Sequence, residues 1–75
     1  MDKKEIKVKV EGRWIILCYV PQYNFDATKA YDDETGMFIK EYRSKCPSSF
    51  VEGCESGALM TVLEKDVKAF VASVL

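Results

Sequence analysis

Residues 3 to 11, KKEIKVKVE, alternate strictly, with Ile6, Val8 and Val10 on one face and Glu5, Lys7, Lys9 and Glu11 on the other. A period of two carried by β-branched apolar residues predicts a half-buried strand. Gly12 supplies a turn, and RWIILCYV (13 to 20) returns as a second strand. A two-residue turn at Glu11-Gly12 or at Gly12-Arg13 gives the same parity. Ile15, Leu17 and Tyr19 then join Ile6, Val8 and Val10, while Trp14, Ile16, Cys18 and Val20 stand beside the lysines. A strand apolar on both sides is expected at the centre of its sheet, and a lysine-rich one at an edge.

Pro21 ends the second strand, because proline donates nothing to a ladder. QYNFDATKAY (22 to 31) holds three aromatics, Tyr23, Phe25 and Tyr31, without clear periodicity. Asp32, Asp33, Glu34, Thr35 and Gly36 read as an acidic turn, and MFIKEYR (37 to 43) as a strand. Residues 28 to 43 are therefore expected to form a second hairpin, the alternative being a short helix capped by Asp26. CPSSFVEGCESG (46 to 57), rich in serine and glycine, reads as a loop.

From Ala58 the period becomes helical: Leu59, Met60, Leu63, Val67, Phe70, Val71 and Val74 recur at three- and four-residue spacing. Ser56 is the expected N-cap; a capping box over Thr61–Glu64 is the alternative, with a short strand over 58 to 60 before it. These faces predict a single α+β domain over residues 1–75, in two layers. An antiparallel β-sheet of three to four strands, made of two hairpins, packs against one C-terminal amphipathic helix.

Composition narrows the chemistry. The chain has 75 residues, 48% of them apolar and 31% charged, three cysteines and no histidine. Absence of histidine removes Ser-His-Asp and Cys-His constellations and two-histidine metal motifs. Cys18, Cys46 and Cys54 are too widely spaced for a zinc knuckle, so neither cofactor nor metal is expected. Cys46 is the one candidate nucleophile, if Lys45 and Arg43 depress its pKa; an ordinary free thiol explains it as well. A Cys46–Cys54 disulfide closing the loop is conceivable under oxidising conditions. No apolar run approaches the ~20 residues of a membrane span, and no leader-like pattern opens the chain. Free thiols then suggest a cytoplasmic setting.

Binding is what remains. Eleven basic and twelve acidic side chains leave a net charge of −1, but residues 1 to 13 hold five basic against three acidic. Trp14 and Ile16 are the candidate apolar anchors for a partner, and Tyr23, Phe25 and Tyr31 the amphipathic ones; the alternative is that residues 22 to 31 fold back and bury Trp14 and Ile16 as a second small core. Asp32, Asp33 and Glu34 would steer the face towards a basic patch; as a carboxylate cluster for acid–base work they read instead as a solvated turn. The expectation is a non-catalytic regulator or inhibitor that covers a site on a protein partner, of the kind mobile genetic elements and phages often encode. Single-stranded nucleic acid on the basic strand is the weaker alternative, since Glu5 and Glu11 dilute its field. A homodimer formed through the same face is a further one.

Overall fold

Two hairpins in succession build one four-stranded antiparallel sheet in the order β1-β2-β3-β4, and two helices follow. The elements are β1 (Lys4–Val10), β2 (Arg13–Tyr19), β3 (Ala27–Asp32), β4 (Phe38–Arg43), α1 (Pro47–Ser56) and α2 (Met60–Val74). The computed structural model describes residues 3–21 and 27–75. The fold is thus the small α+β type that the two periodicities predict.

The first hairpin closes on Glu11 and Gly12, both at positive φ (53° and 76°), and pairs Val10 with Arg13. Two left-handed residues are what a tight hairpin turn needs to match strand twist, and glycine supplies one of them without strain. That register sets Ile6 opposite Leu17 and Val8 opposite Ile15. Val8, Val10, Ile15 and Leu17 are buried together with Ala30, Tyr42, Cys54, Leu63 and Val67. β2 lies inside the sheet and β1 at its edge, as their patterns imply. Tyr19, expected among the core residues, is only half-buried.

The second hairpin carries a register shift. Ala30 faces Lys40 but Tyr31 faces Phe38, so Ile39 is an extra residue on β4. Such a bulge breaks strict alternation. It sets Phe38 beside Tyr31 although Lys40 and Tyr42, two and four residues on, belong to the helix-covered side.

Residues 46 to 57 are not a loop. Pro47 opens α1 at its first turn, where a missing N–H costs nothing, and Cys46 stands extended before it. Gly57, left-handed at φ 91°, ends it, donating its N–H to the Cys54 carbonyl. Pro47, Val51 and Cys54 bury one face. Gly53 is required by packing: a Cβ there would lie 2.7 Å from Leu59 Cδ1. Ser56 consequently ends α1 instead of capping α2, and residues 58 to 60 form no strand. In α2, Leu63, Val67 and Phe70 are buried, whereas Val71 and Val74 from the expected stripe are exposed. The Tyr42 hydroxyl donates to Asp66 Oδ2 at 2.7 Å and fastens α2 to β4.

The helix correction also removes the disulfide. Cys46 and Cys54 are eight residues apart along one helix, about 12 Å at 1.5 Å per residue, far beyond bridging distance. All three thiols are free. No helix among the described residues is long and apolar enough to cross a membrane.

Candidate functional site

Both helices pack on the face of Val8, Ile15 and Leu17, α1 against β2 and β3, and α2 against β1 and β4. The opposite, outer face is built in rows by the strand register. One row runs Lys7, Ile16, Tyr31, Phe38; the next runs Glu5, Cys18, Lys29, Glu41. Beside them Lys9 faces Trp14, whose carbonyl accepts the Asp33 N–H at 3.0 Å.

Trp14 is 50% exposed and Phe38 51%, while Ile16 and Tyr31 are half-buried. The Tyr31 and Phe38 rings meet edge to face, centroids 5.5 Å apart. Lys9 Nζ lies 5.7 Å from the centroid of the Trp14 ring, within cation–π range. The outer face therefore presents a short apolar band across three strands, bordered by charge.

Of the residues the sequence nominates, Trp14, Ile16 and Tyr31 come together on this face. Tyr23 and Phe25 lie outside the described residues. Phe38 joins them without a signal in the sequence: alternation from the inward Tyr42 would turn it inward, and the bulge turns it outward. A bulge of this sort leaves no mark in the sequence that would have given it away.

The three acids separate. Asp32 is fully buried and takes four hydrogen bonds. Arg13 donates Nε and Nη2 to its two oxygens, both at 2.9 Å, and Thr35 donates its N–H (2.9 Å) and hydroxyl (2.8 Å). The Arg13 guanidinium, with the Thr35 donors, holds the Asp32 carboxyl well below the usual range, at about 2. Glu34 pairs with Arg13 at 3.2 Å and Asp33 with Lys7 at 3.3 Å. Asp32 is thus the organiser of the β3–β4 turn and lies inward, while Asp33 pairs with Lys7 and Glu34, its side chain 77% exposed, shares Arg13 with Asp32.

Comparison with protein families, curated proteins and solved structures finds no match.

The thiols differ by environment. Burial pushes Cys54 up to about 11. Cys18 is raised as well, by burial and by Glu5, to which its thiol donates at 3.7 Å. Cys46 is exposed and lowered, first by the Ser49 hydroxyl (3.3 Å) and then by backbone N–H groups at the start of α1. Lys45 and Arg43, the cations expected to depress it, are not among the causes. Among the described residues no group of three Cys, Asp or Glu is placed to hold a metal ion.

Proposed function

We propose that this chain is a non-catalytic binding protein, a small regulator or inhibitor that covers a site on a protein partner with the outer face of its sheet. What carries the reading is Trp14, a half-exposed indole beside Ile16, Tyr31 and Phe38 on the face opposite both helices. Large rigid aromatics contribute most of the energy of protein interfaces, and they gain most where apolar neighbours exclude water around them. An indole left half in water has further apolar surface to bury, and a covering partner would bury it. The missing histidine and the engaged Asp32 leave little equipment for acid–base chemistry near this face.

The test is Trp14→Ala. Capture of the partner from the native host, identified by mass spectrometry, is expected to be lost while the variant still unfolds cooperatively. A variant that binds undiminished, or that no longer folds, removes Trp14 as the anchor. Single-stranded nucleic acid is the second reading, because Lys7, Lys9 and Lys29 share the face with Trp14 and Tyr31. Salt-sensitive affinity for an oligonucleotide at two ionic strengths would move the reading there.

A further inference from the structure

Resting on the reading of the outer face as a protein-binding surface, we infer that its partner presents an acidic, extended segment with carboxylates set among apolar side chains. The sequence alone points the other way, to a basic partner drawn by Asp32, Asp33 and Glu34. Asp32 is buried on Arg13 and Thr35, Asp33 pairs with Lys7, and Glu34, largely exposed, shares the same Arg13. What the face offers outward is a small cationic excess, carried by Lys3, Lys9 and Lys29, since Lys7 and Arg43 pair with Asp33 and Glu41. Among the described residues it carries five cationic side chains and three carboxylates, whereas the two helices carry four carboxylates and two lysines. Opposite layers of opposite sign orient an approaching anionic surface towards the sheet.

The local geometry agrees. A recess of about 240 Å³ opens on the outer face at the Lys3 end of the sheet, lined by Lys3, Glu5, Cys18, Lys29 and Tyr31 among others. Its one carboxylate among the described residues, Glu5, accepts the Cys18 thiol hydrogen. No carboxylate among the described residues lies within ion-pair distance of Lys3 or Lys29. Two ammonium groups beside an aromatic wall suit a carboxylate side chain, and the apolar band of Trp14 and Ile16 continues from the recess along the strands. Nucleic acid fits less well. Lys9 sits over the Trp14 ring and the Tyr31 ring is packed edge to face on Phe38, so ring faces are taken that bases would need.

The experiment is an amide-shift titration of the isotope-labelled full chain with three probes. They are a peptide alternating Glu and Leu, its twin with Lys for Glu, and an oligothymidine of equal charge. The acidic peptide is expected to shift the amides of Trp14, Ile16, Lys29 and Tyr31. The double variant Lys3→Glu, Lys29→Glu should weaken it by about tenfold, with the remaining spectrum unchanged. A lysine peptide that moves the same amides at least as strongly keeps the face as a protein surface but overturns the acidic partner. Tighter oligothymidine binding overturns it in favour of nucleic acid. If neither peptide moves these amides, the inference and the reading beneath it both fall.

Discussion

The two faces of β2 use the same seven-residue strand for opposite purposes. Inward, Ile15 and Leu17 are completely buried against both hairpins and the helices. Outward, one residue away in each case, Trp14 is half in water and Ile16 half-buried, among lysines and carboxylates. Polarity alone does not separate them, since Trp14 is as apolar as anything in the core. The difference is the neighbour: an inner residue has a helix above it, and an outer one has solvent and charged rims. Even the buried charge obeys this division, because Asp32 goes inside only with every oxygen engaged. Inner residues hold the fold; outer ones are free to serve something else.

The sharpest way to break that comparison is to shorten the inner face. Leu17→Ala should destabilise the protein by about 3 kcal/mol, from lost transfer energy plus the cavity left at a site with no exposure. Denaturant unfolding measures it, and a loss below about 1 kcal/mol would mean that this face is not the core. Next comes Asp32→Asn, expected to remove about 2 to 3 kcal/mol at neutral pH by leaving the Arg13 guanidinium without its bidentate partner. Its sign with pH follows from a carboxyl held at about 2 in the fold against an ordinary 3.8. The stabilisation is complete above pH 3.8 and disappears as pH falls through 2, so the wild-type advantage over the variant should vanish across that interval. An advantage that persists at pH 2 would show that charge is not what holds the turn.

Much of this division is legible in the residues themselves. Alternation in KKEIKVKVE and the Glu11-Gly12 turn yield the register of the first hairpin, and with it Val8, Val10, Ile15 and Leu17 as core. Three features escape because their cause is distant in the chain. Asp32 reads as one of three solvated acids, yet its partner Arg13 is 19 residues away. Phe38 depends on a bulge that arises only when β3 and β4 pair. Gly53 looks like a loop residue, but it is small because Leu59 packs against it after the chain has turned. The serines around it hide a helix whose real marks are Pro47 at its start, Gly57 at its end, and Val51 and Cys54 between. Local pattern reaches as far as the hairpins; pairings across the fold decide the rest.

A smaller effect sharpens the picture from inside. Thr28 sits on the inner face opposite Tyr42, fully buried, and its hydroxyl oxygen finds no hydrogen-bond partner among the described residues. Thr28→Val keeps the shape and deletes the unmet polar atom, so a gain of about 1 kcal/mol is expected in the same unfolding measurement. A loss instead would reveal a partner for that hydroxyl in solution and would place a polar link inside the core.

The smallest effect on stability, below about 1 kcal/mol, belongs to the outer face and to Trp14→Ala. The substitution removes a half-exposed ring and its contact with Lys9, a cation–π pair of roughly 0.5 kcal/mol at an exposed site. It leaves the buried set of Val8, Ile15 and Leu17 untouched. Set against Leu17→Ala, three positions along the same strand, the ratio of the two losses measures how far the faces differ in function. A loss from Trp14→Ala approaching that of Leu17→Ala would make the outer face a second core, and the binding surface would have to be sought elsewhere. A loss of a few tenths, combined with loss of partner capture, separates binding from folding within a single strand.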